Sequence, residues 1–191
     1  LLKTKKDTAL IMTPTRELAT QVMQTMNSLI GRGNIRTALL IGGDSIQKQF
    51  RQMRRNPRLI VGTPGRINDH LQRNTLKLNN TSFLVLDESD RMLDMGFTPQ
   101  INQVLETVPR KHQTLLFSAT LPKNIIRLAE KYLNNPARIS VGSTSTPIKK
   151  IKQEVIHVKD GDKYNQLIKE IYNRQGSILI FVKTRRNAEK M

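Results

Sequence analysis

Phe83-Leu84-Val85-Leu86-Asp87-Glu88-Ser89-Asp90 sets four apolar residues directly ahead of three carboxylates and a serine. An apolar run without polar alternation reads as a strand covered on both faces, as in a parallel sheet between helices. The same grammar repeats on either side. Ala9-Leu10-Ile11-Met12, Ala38-Leu39-Leu40-Ile41, Leu59-Ile60-Val61 and Thr114-Leu115-Leu116-Phe117 read as further strands, and Arg138-Ile139-Ser140-Val141 closes the series.

Helical patterns fill the intervals. Leu18, Ala19, Val22, Met26, Leu29 and Ile30 mark one helix face that stops near Gly31-Arg32-Gly33, and Ile46, Phe50 and Met53 mark a shorter one. Thr63-Pro64 opens a third. Thr98-Pro99 opens a fourth, striped by Ile101, Val104, Leu105 and Val108, with Thr98 as the expected cap and proline just inside the helix. Leu121, Ile125, Leu128 and Tyr132 stripe a fifth. Strands alternating with helices predict an α/β fold, a doubly wound parallel sheet with helices on both faces.

The composition shifts at Gly142-Ser143-Thr144-Ser145-Thr146-Pro147, a small and polar stretch of linker type. A first domain over residues 1–142, a linker over 143–150 and a second unit over 151–191 are expected. In the second unit Gln153 to Val158 reads as a strand, Leu167, Ile168 and Ile171 stripe a helix, and Ile178-Leu179-Ile180-Phe181-Val182 reads as another strand. Some 45 residues fall short of a domain of this class, so the second unit is read as truncated.

The chain has 191 residues and a formal net charge of +17, which predicts a large polyanionic partner. Aromatics are only 4%, with no Trp, so a grip on the phosphate backbone is favoured over base stacking. There is no cysteine, and His70, His112 and His157 lie far apart, as ordinary surface or core histidines do. No apolar run approaches the ~20 residues that span a bilayer, and no secretory signal stands out. A soluble, reducing, cytoplasmic setting is expected, with no membrane partner.

In a parallel sheet every strand ends on the same edge, where ligands bind. The segments following the first five strands are Thr13-Pro14-Thr15-Arg16-Glu17-Leu18, Gly42-Gly43-Asp44, Gly62-Thr63-Pro64-Gly65-Arg66, Asp87-Glu88-Ser89-Asp90 and Ser118-Ala119-Thr120. Thr-Pro at a helix start offers free N–H groups, glycine permits close backbone approach, and arginine matches phosphate oxygens. The acidic segment differs in sign: beside phosphates it makes sense with a divalent cation between them.

These segments, in order and spacing, resemble the motif series of DEAD-box ATP-dependent RNA helicases, and Ile180-Phe181-Val182-Lys183-Thr184 looks like the motif opening that family's second RecA-like domain. The resemblance implies a RecA-like first domain and the start of a second. It implies that Pro14, Thr15, Arg16, Gly43, Thr63, Pro64, Gly65 and Arg66 hold the RNA backbone, whatever its sequence. Asp87 would hold Mg²⁺ through water, and Glu88 would activate the water that hydrolyses ATP. Asp90 would communicate with Ser118 and Thr120, linking hydrolysis to strand separation. Thr184 would belong to the second domain's RNA face.

Two departures stand out. Ser89 takes the place of the family's alanine, a change expected to be tolerated but able to alter hydrogen bonding between Asp90 and Ser118. No G-x-x-x-x-G-K-[ST] phosphate loop occurs in the chain. The family places that loop upstream of residue 1 and its arginine motifs beyond Met191, so the chain reads as a fragment of a larger enzyme. A non-catalytic RNA clamp and a DNA-directed helicase remain competing readings. The upstream coding sequence discriminates the first, and ATPase stimulation by RNA against DNA the second.

The 191-residue chain is expected to bind single-stranded RNA with an affinity that falls steeply with salt and changes little with base sequence, and to hydrolyse negligible ATP. Anisotropy titrations at two salt concentrations and a phosphate-release assay check both. Salt-insensitive binding, or clear Mg²⁺- and RNA-dependent turnover, would overturn this expectation.

Overall fold

The computed structural model describes residues 4, 7–31, 33, 35–141, 152 and 154–191. The expected linker and Gln153 lie outside the described residues. The chain divides into two compact units, Leu1–Ser145 and Thr146–Met191.

In the first unit β1 (Thr8–Met12), β2 (Thr37–Leu40), β3 (Leu59–Gly62), β4 (Thr81–Leu86) and β5 (Gln113–Leu116) form one sheet in the order β2-β3-β1-β4-β5. Every pairing is parallel. The interleaved helices are α1 (Arg16–Ile30), α2 (Ile46–Met53), α3 (Pro64–Gln72), α4 (Ser89–Asp94), α5 (Thr98–Thr107) and α6 (Lys123–Tyr132). The expected doubly wound parallel α/β layer is thus the observed architecture.

The two-residue period of the strands sorts their side chains into two cores. Leu10 and Met12, Ala38 and Leu40, Ile60, and Leu84 and Leu86 face one side, where they meet Ile67 of α3, Met92 of α4, Ile101, Val104 and Leu105 of α5, and Leu128 of α6. Ala9 and Ile11, Leu59 and Val61, and Val85 face the other, against Ala19 and Met23 of α1. Truncating one of the fully buried leucines to alanine costs about 2–5 kcal/mol by the usual cavity penalty.

Some boundaries and faces differ from expectation. Leu29, expected on the core stripe of α1, is 75% exposed, and Met23 is buried instead. The inward arc is centred on Ala19 and Met23, and Leu29 lies outside it. Helix α5 begins one residue earlier than read: Phe97 holds the cap position and Thr98 lies inside the helix. Helix α4 was not anticipated. The segment 138–141 forms no strand, and Ile139 and Val141 are exposed; a β-prone run becomes a strand only where a neighbour completes its ladder.

The second unit contains a 3-10 turn at Asp160–Asp162, α7 (Lys163–Tyr172) and α8 (Arg185–Lys190). Leu167, Ile168 and Ile171 are half-buried, as the stripe requires. The two expected strands are unpaired among the described residues, and Val155, Leu179 and Phe181 are exposed. Among the described residues no helix is long and apolar enough to cross a membrane.

One polar residue of α3, His70, is fully buried and meets Phe50 edge-on. Burial holds its imidazole below the usual histidine range; Asp69 opposes this, while Arg66 and Arg73 reinforce it. The folded ring therefore stays neutral where an unfolded one protonates. The stability it contributes is full above about pH 6.5 and is lost as pH falls through the lowered pKa. Urea unfolding at about pH 7.5 and pH 5.5 should show a loss of stability on acidification that shrinks in His70→Gln. An identical loss in the variant would contradict the assignment.

Candidate functional site

Parallel pairing brings all five strand tips to one edge, and the strand order sorts them. Gly42-Gly43 follows β2, Thr63–Arg66 follows β3 and Thr13–Arg16 follows β1, so these three are neighbours. Asp87–Asp90 and Ser118–Thr120 follow β4 and β5 on the other half. Bonds beyond the strands tie the tips in sequence: Thr63 N–H to Leu40 O at 3.0 Å, Thr13 N–H to Gly62 O at 3.1 Å, Asp87 N–H to Met12 O at 3.0 Å, and Phe117 N–H to Leu86 O at 2.8 Å.

On the basic half, Thr15 caps α1 by accepting Leu18 N–H at 3.2 Å, which places Arg16 in the first turn, exposed. Its guanidinium lies against Gly42-Gly43. A Cβ on Gly43 would overlap Arg16 Nη1, and Gly43 has φ +76°, a conformation that favours glycine. Pro14, Thr63 and Pro64 are buried, so their side chains support the turns and any direct contact there falls to the backbone. Gly65 differs from Gly43. A side chain there would meet open space and its φ is ordinary, so nothing within the chain itself requires glycine.

Arg66 Nε is held 3.8 Å from Asp69, and its buried Nη1 has no hydrogen-bond partner among the described residues. An unpaired buried guanidinium N–H in the first turn after the β3 tip suits an anion.

On the acidic half, burial pushes the Asp87 carboxyl above the usual carboxylate range; a bond from Glu88 N–H at 3.0 Å offsets this in part, and the Glu88 charge adds to it. Glu88 has φ +47° and ψ +51°, left-handed values uncommon for a glutamate and a form of strain stored at the tip. It pairs with Arg91, Nη1 to Oε2 at 3.1 Å.

Asp90 Oδ2 accepts both Thr120 N–H at 2.9 Å and Thr120 Oγ1–H at 2.7 Å, while Ser118 Oγ donates to Thr120 O at 2.6 Å. Burial would raise the Asp90 pKa. The bonds from Thr120, Arg91 N–H and Ser118 outweigh it and hold the carboxylate ionised to lower pH.

Ser89 is fully buried, and its hydroxyl lies within hydrogen-bond reach of Phe117 O at 3.0 Å and Leu86 O at 3.2 Å. The added hydroxyl therefore joins the β4 tip to the β5 tip rather than entering the Asp90–Ser118 pairing. Thr184 lies in the second unit, where it caps α8 by accepting Asn187 N–H at 3.2 Å. Arg91, Phe117, Gln49 and His70 all lie at or beneath this edge, and none was given a part in the site from sequence, where His70 reads as an ordinary surface or core histidine and Phe117 as a strand residue. For Gln49 and His70 burial at a polar position is the signal, invisible before the fold is known, whereas Arg91 and Phe117 are exposed and carry no such signal.

The family model described as DEAD/DEAH box helicase matches residues 1–128. The chain is 36% identical to the DEAD-box ATP-dependent RNA helicase CshA of Bacillus subtilis over 96% of its own length and 37% of the relative's. It is 36% identical to the ATP-dependent RNA helicase DbpA of the same organism, covering 97% of itself and 39% of that protein. Among solved structures, a DEAD box protein from the hyperthermophile Methanococcus jannaschii superposes with a TM-score of 0.69 at 37% identity, over 96% of this chain and 49% of that one. The chain thus spans well under half the length of these curated relatives.

Gly43→Ala is expected to destabilise the first unit by roughly 1 kcal/mol or more, through both backbone strain and displacement of Arg16. Gly65→Ala should leave stability within about 0.5 kcal/mol. Urea denaturation of the two variants side by side checks the contrast, and equal effects would refute it.

Proposed function

The chain belongs to the DEAD/DEAH box helicase family, and from that premise we propose that it forms the RNA-gripping and hydrolysis-coupling part of an ATP-dependent RNA helicase. RNA is held by its backbone on the basic half of the edge. The N-terminal turns of α1 and α3 present N–H groups, Arg16 and Arg66 present charge, and Gly43 and Gly65 leave room for close approach. Such contacts carry no base information, so the RNA need not have a defined sequence. Thr184 would add a contact from the second unit.

The acidic half has the donor set for a hydrated Mg²⁺. Asp87 and Glu88 offer adjacent hard carboxylate oxygens, and the raised Asp87 pKa reflects in part a repulsion that a divalent cation would relieve. ATP with Mg²⁺ supplies the cleavable phosphoanhydride and the neutralising charge for this kind of site. Asp87 would hold the hydrated ion, and Glu88, turned out by its left-handed backbone, would take a proton from water. To do so Glu88 must first leave Arg91.

The observation that carries the coupling is the Asp90–Thr120 bridge, two bonds on one carboxylate oxygen joining the acidic tip to the Ser118–Thr120 tip. Any shift of the Asp87–Asp90 turn is passed through it to β5 and α6. Ser89 adds a second tie through Phe117 O.

In the full-length protein Glu88→Gln is expected to lower RNA-stimulated ATP hydrolysis by about 100-fold or more while RNA affinity changes less than about threefold. Thr120→Val should reduce duplex unwinding about tenfold and hydrolysis much less. Phosphate release and strand displacement read the two separately. Unimpaired hydrolysis in Glu88→Gln would remove the enzymatic reading, and equal losses in Thr120→Val would remove the coupling role.

A further inference from the structure

Two fully buried polar side chains lie beneath the Gly42–Asp44 loop: Gln49 of α2 and His70 of α3. His70 Nε2 is 3.2 Å from Gln49 Oε1, and His70 Nδ1 is 2.8 Å from Thr75 Oγ1. Gln49 Nε2 donates to Ile41 O at 2.9 Å and reaches Asp44 O at 3.5 Å. The network runs from the segment after α3, through α3 and α2, into the loop that follows β2.

The directions at its Gln49 end follow from the acceptors present. Both neighbours of the Gln49 amide nitrogen are carbonyl oxygens, so turning the amide over would set oxygen against oxygen. Gln49 Oε1 therefore faces His70 and can only accept. His70 then carries its proton on Nε2, and the neutral ring offers Nδ1 as an acceptor to the Thr75 hydroxyl. Thr75 Oγ1 also lies 3.1 Å from the His70 carbonyl, so its single proton serves either that oxygen or the ring nitrogen.

Two apolar side chains would fill this volume without the cost of burying an amide and an imidazole. The loop, by contrast, presents Ile41 O and Asp44 O to the Gln49 amide and so calls for a donor there. The ladder between β2 and β3 reaches its last bond at Thr63 N–H to Leu40 O. Past that point the Ile41 carbonyl is held by Gln49.

We propose that His70 and Gln49 are positioning residues, a buried strut that fixes the Gly42–Asp44 loop against α3 and so sets the separation of two RNA phosphate sites. One site is the Gly43–Arg16 platform, and the other is the Thr63–Arg66 turn that begins the helix bearing His70. The inference rests on the RNA-backbone reading above. Neither side chain touches RNA, so the strut acts by keeping the two sites in register with successive phosphates.

Asparagine and glutamine separate this role from simple core stability. The His70→Asn amide reaches where Nδ1 was, keeping Thr75 and losing Gln49; the His70→Gln amide reaches where Nε2 was, keeping Gln49 and losing Thr75. Anisotropy with a fluorescent single-stranded oligouridylate and thermal melting would be measured on the same samples. We expect His70→Gln to bind within about twofold of wild type and His70→Asn to bind about fivefold or more weakly, with similar falls in melting temperature.

Gln49→Met fills the same volume, removes the strut from the α2 side and should match His70→Asn, which keeps the test alive if one substitution unfolds the protein. Arg66→Ala is the control for the RNA reading itself. If Arg66→Ala weakens binding and the strut variants do not, or if their affinities track melting temperature alone, the inference is overturned while the RNA reading stands. If wild type fails to bind the oligouridylate, both fall.

Discussion

The parallel pairing of β1 with β3 on one side and β4 on the other is the constraint on which everything else rests. Because β1 is central and its neighbours run the same way, three different loops are forced to begin at the same height. Hydrogen bonds then continue beyond the strands, from Thr13 to Gly62 and from Asp87 to Met12, so the first residues of those loops are still part of the ladder. A loop anchored in this way cannot drift relative to its neighbour without breaking a buried backbone bond, which costs about 1–3 kcal/mol per unsatisfied group.

The strand order then separates chemistry by sign. Reading along the edge, glycine and arginine turns occupy the tips of β2, β3 and β1, and carboxylates occupy the tip of β4. The short distance between opposite functions is bridged by backbone rather than by side-chain ion pairs. Within the acidic half the ties are hydrogen bonds to carboxylate and carbonyl oxygens, directional contacts that fix orientation better than a diffuse charge attraction does.

Much of this was legible before the fold was known, because apolar runs and helix-start signals are local. Leu84 and Leu86 belong to an obviously buried strand, and Thr63-Pro64 to an obvious helix start. What was not legible depends on neighbours. Leu29 fits the stripe of α1 by spacing, but the inward arc is narrower than the stripe. Residues 138–141 and 178–182 have strand composition, yet the structure gives them no ladder. His70 reads from sequence as an ordinary surface or core histidine and Gln49 carries no signal, and only the fold reveals that they meet. The site roles were suggested by motif order, whereas the Asp90–Thr120 bridge and the Glu88 backbone required coordinates.

The contact of Arg16 with Gly42-Gly43 has a consequence for the thermodynamics of ligand capture. A free surface arginine surrenders rotamer freedom when it closes on a phosphate, typically about 0.5–1.5 kcal/mol for such a side chain. Here the guanidinium already lies against the Gly42-Gly43 backbone, so part of that entropy is lost during folding. The arriving anion meets a cation with little left to order, and its release disorders little in return. Capture of an anion at this edge therefore carries a smaller ordering cost than capture by a free surface arginine.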